Sequence, residues 1–109
     1  MICPKCAAGE LSSGLGASGN LIDRCGVCGG VWLDKGEWSV YFKDASKFEQ
    51  ALAEALAAAK PSTRRCPRCE QEMRAASLAK ADTELDSCPK CAGLWLDQGE
   101  FAALKKTFG

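Results

Sequence analysis

The sequence predicts a small metal-stabilised α+β fold made of two similar halves, each a β-hairpin followed by a helix. The first observation behind this prediction is an internal repeat, because the cysteine pattern of the first half returns 63 residues later. The second is the presence of eight cysteines and no histidine among 109 residues. Units of about 40 residues bury too little apolar surface to fold without disulfides or a bound metal. We therefore expect the cysteines to hold each half together.

The cysteines form four C-x2-C pairs, two in each half. Eighteen residues separate the two pairs in both halves, so two tight turns can close into one tetrahedron of thiolates. Four thiolates favour zinc or iron, and a reducing compartment disfavours structural disulfides. The spacing predicts two zinc ions per chain, one held by Cys3, Cys6, Cys25 and Cys28 and the other by Cys66, Cys69, Cys88 and Cys91. A single iron in the same geometry and oxidised cysteine pairs are the alternatives.

Between the two cysteine pairs of each half, a polar stretch interrupted by turn residues predicts a β-hairpin. We expect strands at 10–15 and 21–24 in the first half, and at 72–78 and 83–87 in the second. Residues 14–19 also match the G-x-G-x-x-G pattern of dinucleotide sites, but the chain has no room there for a βαβ unit. The sequence therefore implies no cofactor beyond the metal.

A repeated hexapeptide, W-L-D-x-G-E, marks the start of a helix after each hairpin. Asp34 with Glu37, and Asp97 with Glu100, have the spacing of a D-x-x-E capping box. Helix capping thus explains these carboxylates without any acid–base catalysis. We expect no catalytic residues and no enzymatic activity.

Apolar residues spaced by three and four predict a long amphipathic helix, which Pro61 ends. Ser46 and Glu49 form a second helix-start signal, so the sequence leaves undecided whether the helix is interrupted near residues 44–46. The predicted boundaries are a first ribbon at 1–38, the long helix at 35–59, a linker at 60–65, and a second ribbon with a short C-terminal helix at 66–109.

The predicted long helix needs a partner for its apolar stripe, because at about 35 Å it exceeds what one small hairpin covers. The second half can fold back onto it, or two chains can pair through it, and we expect both. The apolar run at 51–59 is far shorter than the roughly 20 residues that span a bilayer, so we expect no membrane segment. The amino terminus has no basic stretch followed by an apolar run, and we expect a cytoplasmic protein.

Nucleic-acid binding has little support from charge, since 14 basic residues balance 14 acidic ones. The basic cluster from Lys60 to Arg68 is where phosphates would bind. The hairpins contain no aromatic residue on which bases could stack, and all eight aromatic residues lie on the helical side of each half. Trp32 and Trp95 follow the last cysteine of each half, where we expect them to shield the metal from water.

The combination C-P-x-C, a hairpin, C-x-x-C-x-G and W-L-D-x-G-E resembles the transcription-factor-IIB-type zinc-finger family (zf-TFIIB). Both halves match it, over residues 2–38 and 65–101. The resemblance implies two tandem zinc ribbons with the two cysteine sets named above as ligands, and it implies a transcription-related role. Glu70 and Ala92 depart from the family pattern, because glycine is frequent at their positions.

These observations predict a non-enzymatic zinc-binding protein that acts as a protein-docking adaptor or regulator. Its partner, or a second copy of the chain, is expected to bind the long helix through Tyr41 and Phe48. The alternative is nucleic-acid or transcription-complex binding through Arg64, Arg65 and Arg68. A thiol redox sensor is a further alternative, since C-x-x-C pairs can exchange disulfides.

Overall fold

A computed structural model describes residues 2–6, 9–15, 21–36 and 38–109. The elements follow one another along the chain as β1 (Leu11–Leu15), β2 (Leu21–Cys25), β3 (Val31–Leu33), α1 (Trp38–Tyr41), α2 (Ala45–Ala57), β4 (Lys60–Arg65), β5 (Glu72–Leu78), a 3-10 turn (Ala79–Ala81), β6 (Thr83–Ser87), β7 (Leu94–Leu96) and α3 (Glu100–Phe108). The predicted α+β class, with a β-hairpin and helix in each half, is confirmed.

The seven strands of the described residues form one antiparallel sheet in the order β1-β2-β3-β7-β6-β5-β4. The two hairpins, β1–β2 and β5–β6, lie on either side of the central pair β3–β7. In that central pair Trp32 lies opposite its repeat counterpart Trp95. The two halves are therefore related by an approximate twofold axis between β3 and β7, and they share a single sheet.

Residues of the two central strands alternate between two cores, one on each face of the sheet. Val31 and Leu33 of β3 belong to the core that contains the helices, whereas Trp32 belongs to the core that contains the cysteines. Leu94, Trp95 and Leu96 of β7 repeat this pattern. All residues of both strands are buried, as expected of central strands covered on both faces.

Aromatic side chains from both halves build the helical core. The ring of Phe48 lies 4.7 Å from that of Phe42 in the first half and 5.4 Å from that of Phe108 in the second. Phe101 packs against Tyr41 with a ring-centroid distance of 5.4 Å. The expectation that the second half folds back onto the first helix is confirmed. Tyr41 and Phe48 are 6% and 0% exposed, so they belong to this core and not to the protein surface.

The long helix predicted over 35–59 is interrupted, and α1 and α2 are separated by residues 42–44. In an unbroken helix Phe42 and Phe48 would point about 120° apart, because successive residues rotate by about 100°. The break lets both rings enter the same core. It is held by the other half, since the backbone N–H of Asp44 donates a hydrogen bond to the Phe108 carbonyl at 2.8 Å.

The segment predicted as a linker, residues 60–65, is instead the strand β4, which pairs antiparallel with β5 at the edge of the sheet. Pro61 lies opposite Arg74 in this pairing. An edge strand tolerates proline because its outward backbone groups need no N–H partner. Strand β4 places Arg64 beside the second half, as described below.

Candidate metal centres

The eight cysteines form two groups, and each group is the set of four that the sequence predicts. Within each group the four Sγ atoms lie within 4.8 Å of one another. The closest pairs are Cys3–Cys28 at 3.6 Å, Cys6–Cys25 at 3.7 Å and Cys66–Cys91 at 3.7 Å. A tetrahedron with Zn–S bonds of about 2.3 Å has S–S edges of about 3.8 Å. The donor atoms therefore have the spacing that one tetrahedral zinc ion requires in each group.

Backbone N–H groups in the turns point at the sulfur of the first cysteine of each pair. The N–H of the second cysteine lies 3.3–3.5 Å from that Sγ in all four pairs, Cys3/Cys6, Cys25/Cys28, Cys66/Cys69 and Cys88/Cys91. The first cysteine of each pair is only 1% exposed, while the second is half-buried. Donated hydrogen bonds stabilise a thiolate, so the local backbone favours the ionised form that binds metal.

The thiols of one group differ widely in acidity. Burial raises the pKa of Cys3 and of Cys66 to about 12, while the backbone N–H of Cys28 lowers the pKa of Cys25 to about 6. Four negative charges within 4.8 Å need a compensating cation. Zinc bound by four thiolates supplies that compensation when present, and its binding releases the thiol protons.

Two tryptophans and a methionine cover part of the cysteine groups. Trp32, Trp95 and Met73 are 0% exposed and lie in the same buried cluster as the cysteines. The indole Nε1 of Trp32 donates to the Asp34 carboxylate, and that of Trp95 donates to the Asp97 carboxylate, each at 2.9 Å. The two tryptophans thus lie buried beside the cysteines, as predicted, and both indole N–H groups have hydrogen-bond partners.

Each tryptophan also covers a glycine of the opposite half. A Cβ atom added to Gly30 would lie 2.2 Å from the Trp95 ring, and one added to Gly93 would lie 2.1 Å from the Trp32 ring. Both distances are far below van der Waals contact. Any side chain at these two glycines would therefore push the partner tryptophan out of its place.

A pair of aspartates lies beside each tryptophan, and each pair binds one arginine. Arg64 of β4 contacts Asp86 at 3.0 Å and Asp97 at 2.9 Å within the second half. These two carboxylates raise the pKa of Arg64 against the opposing effect of burial. The single positive charge of the arginine therefore offsets part of the negative charge of the two carboxylates.

The equivalent aspartates of the first half, Asp23 and Asp34, are bound by an arginine of the second half. Arg68 lies between the ligands Cys66 and Cys69, and its guanidinium Nη2 donates to Asp34 at 2.7 Å. The same atom is 3.8 Å from Asp23. This ion pair links the third cysteine turn to the first half, and sequence analysis gave no sign of it.

The capping-box prediction is confirmed only in part. The backbone N–H of Asp97 donates to Glu100 Oε1 at 2.7 Å, which is the backward contact that the motif predicts. However, helix α3 has Gly99 at its N-cap with no side-chain cap, because the Asp97 carboxylate binds Trp95 and Arg64 instead. Of the first-half motif, Glu37 lies outside the described residues, while the Asp34 carboxylate binds Trp32 and Arg68.

The residue after the second cysteine has a left-handed backbone in three of the turns. Its φ is 76° at Gly29, 59° at Glu70 and 61° at Ala92. In each case its N–H donates to the carbonyl of the first cysteine at 2.8–2.9 Å. Glycine adopts this conformation without steric cost, which explains why glycine is the frequent residue at these positions. The fourth such position, Ala7, lies outside the described residues.

Comparison with known proteins agrees with this geometry. The sequence model of the transcription factor zinc-finger family, a TFIIB-type zinc ribbon, matches residues 2–42 and 65–107. No curated protein and no solved structure showed a significant match. Among the described residues, no helix is both long and apolar enough to cross a membrane. With one match over each half and one four-cysteine group in each, the chain belongs to the transcription factor zinc-finger family as a tandem of two zinc ribbons, each suited to bind one zinc ion.

Proposed function

We propose that the protein is a non-enzymatic adaptor or regulator that docks on another protein, with its two zinc ions serving a structural role. The observation that carries this proposal is the placement of Arg64 and Arg68. Both guanidinium groups are bound by aspartates of the chain itself. Two of the three arginines expected to meet phosphates therefore serve to hold the fold.

The positions of the aromatic side chains support the same proposal. Seven of the eight are buried, and Phe101 is half-buried against the helical core. Proteins that bind single-stranded nucleic acid generally present aromatic rings on which bases stack. In contrast, the surface near the cysteine turns offers apolar side chains, since Ile2 is 60% and Val27 69% exposed. Such side chains suit a protein partner better than a phosphate backbone.

The donor set supports a structural and non-catalytic role for the metal. Four thiolates complete the tetrahedral coordination of zinc and leave no position for a reacting water. Each group contains four cysteine Sγ atoms, and the first cysteine of every pair is 1% exposed. A hydrolytic centre instead keeps one coordination position open to substrate or water.

Two binding assays on the zinc-loaded protein test the proposal. Fluorescence anisotropy with mixed-sequence DNA and RNA, from low to physiological salt, should show no binding tighter than about the level of non-specific association, 10⁻⁴ M. Selection from a phage-displayed library of random peptides should enrich ligands whose binding is lost on Ile2→Glu or Val27→Glu. Micromolar, salt-dependent nucleic-acid binding together with no enriched peptide would contradict the proposal.

Nucleic-acid or transcription-complex binding through the segment from Lys60 to Arg68 is the second candidate function. It is supported by the family to which the chain belongs and by the exposure of Arg65 beside the third cysteine turn. In the anisotropy assay this function predicts binding that Arg65→Glu abolishes. Arg64 and Arg68 are unsuitable for that test, because reversing their charge also disturbs the aspartates that they bind.

A thiol redox sensor is a further candidate, since the second cysteine of each pair is half-buried and reachable from solvent. Oxidation requires an exposed thiolate, whereas zinc coordination and burial protect the sulfur. We therefore expect micromolar hydrogen peroxide to leave both zinc ions bound, as followed with a zinc-sensitive dye. Zinc release at such doses would favour the sensor over the adaptor.

A further inference from the structure

We propose that the two zinc sites form one cooperative unit, in which a chain that holds a single zinc ion is disfavoured against chains that hold two or none. Three sets of contacts join the two cysteine groups through residues close in sequence to the ligands.

The first connection is the central strand pair of the sheet. Strand β3 begins at Val31, three residues after the ligand Cys28, and β7 begins at Leu94, three residues after Cys91. The pairs Val31–Leu96, Trp32–Trp95 and Leu33–Leu94 align the two strands along their whole length. Because each strand continues directly from a metal-binding turn, folding of one turn positions the strand that pairs with the other half.

The second connection is the reciprocal packing of tryptophan on glycine. Trp95 of the second half lies on Gly30, two residues after Cys28, and Trp32 of the first half lies on Gly93, two residues after Cys91. Both tryptophans are fully buried in the cluster that contains the cysteines of both groups. Loss of metal from one group therefore removes part of the packing that covers the other group.

The third connection is the ion pair formed by Arg68. This residue is part of the turn that holds Cys66 and Cys69, and its backbone N–H lies 3.4 Å from the Cys66 sulfur. Its guanidinium donates to Asp34, whose carboxylate also accepts the Trp32 indole N–H at 2.9 Å. A turn shaped by metal at the second site thus fixes a carboxylate and a tryptophan beside the first site.

The helical core is shared by the two halves. Phe42 and Phe48 of the first half pack against Phe108 of the second, with ring-centroid distances of 6.4 and 5.4 Å. Coupling between two binding sites is reciprocal. On this proposal, zinc at either site raises the affinity of the other site, and linkage makes the two factors equal.

Native mass spectrometry of the reduced, metal-free full chain titrated with zinc tests this proposal, because it counts chains with zero, one and two ions. Independent, equal sites at one zinc per chain leave about half of the chains with a single ion. A coupling of about 100-fold, within the range typical of linked sites, lowers that fraction to about one tenth. A singly loaded fraction near one half in the wild-type protein would overturn the proposal.

Two pairs of variants test the route of the coupling. Gly30→Ala forces Trp95 away and should raise the singly loaded fraction, whereas Gly26→Ala in the preceding turn should not, since a Cβ there meets nothing within 4 Å. Likewise Arg68→Gln should raise that fraction and Arg65→Gln should not, because the Arg65 side chain donates to the Glu70 carbonyl within its own half. Equal effects within both pairs would show that these contacts do not couple the sites.

Discussion

Replacing Ala92 by glycine should stabilise the protein, although it removes a side-chain atom. Ala92 follows the last zinc ligand and has a φ of 61°, in the left-handed region. Its N–H donates to the Cys88 carbonyl at 2.9 Å, so the turn requires this conformation. Gly29 occupies the equivalent position of the first half with a φ of 76°. The same turn thus has glycine, which adopts this conformation easily, in the first half and alanine in the second.

The expected gain is the difference between two terms. Left-handed backbone costs a residue other than glycine about 1–2 kcal/mol. Glycine in turn loses about 0.5–1 kcal/mol more conformational free energy than alanine on folding. The variant Ala92→Gly should therefore raise the free energy of unfolding by about 0.5–1 kcal/mol, which corresponds to roughly 2–6 °C in Tm for a chain of this size.

Urea unfolding at a fixed excess of free zinc, followed by tryptophan fluorescence, measures this change. The matched control is Ala102→Gly, an exposed position inside helix α3, where the same substitution should cost about 1 kcal/mol. Opposite signs for the two variants are expected. A destabilised Ala92→Gly protein would refute the argument that backbone strain dominates at this turn.

Three further predictions follow from the site geometry. Arg64→Gln should lower the free energy of unfolding, measured by urea titration, by about 1–2 kcal/mol, because Asp86 then lies buried without its cation. The control variant Arg65→Gln should change the same free energy by less than about 0.5 kcal/mol. Burial raises the pKa of Glu100 in the folded protein, so its ionised form costs stability at pH 7. Glu100→Gln should therefore raise the urea midpoint there, and the gain should shrink as the pH falls, because the folded wild-type side chain takes up its proton at a higher pH than the unfolded one. Acidification should release zinc, as measured with a zinc-sensitive dye, because protons compete for the thiolates; retention of both ions at pH 3 would contradict thiolate ligation.

The internal repeat and the cysteine spacing predicted the ligand sets of both metal centres and the positions of the two hairpins. Both four-cysteine groups are the ones expected, and the two hairpins lie where turn residues divided the polar stretches. These features depend on local spacing, which a sequence displays directly. The burial of Trp32 and Trp95 against the cysteines was predictable for the same reason, since each follows a ligand by four residues.

Features that depend on contacts between the halves could not be predicted from the sequence. The helix-start signal at Ser46 and Glu49 left open whether the helix is interrupted near residues 44–46. The break at 42–44 accompanies the packing of Phe42 and Phe48 against Phe108, and periodicity alone carries no information about that partner. The strand at 60–65 forms because β5 offers it an open edge, whereas its proline and polar residues indicated a linker. In both places a tertiary contact decides what local propensity leaves undetermined.

The two halves differ in the origin of the arginine that contacts each pair of aspartates. Duplication places the same acidic pair beside each tryptophan, Asp23 with Asp34 and Asp86 with Asp97, and each pair needs a cation near it. In the second half β4 supplies Arg64, but the repeat position of Arg64 in the first half is Met1, whose side chain is uncharged. Arg68 reaches across from the third cysteine turn and contacts both aspartates of the first pair. Two arginines of the basic segment at 60–68 thus bind aspartates inside the protein, and one of them, Arg68, also links one zinc ribbon to the other.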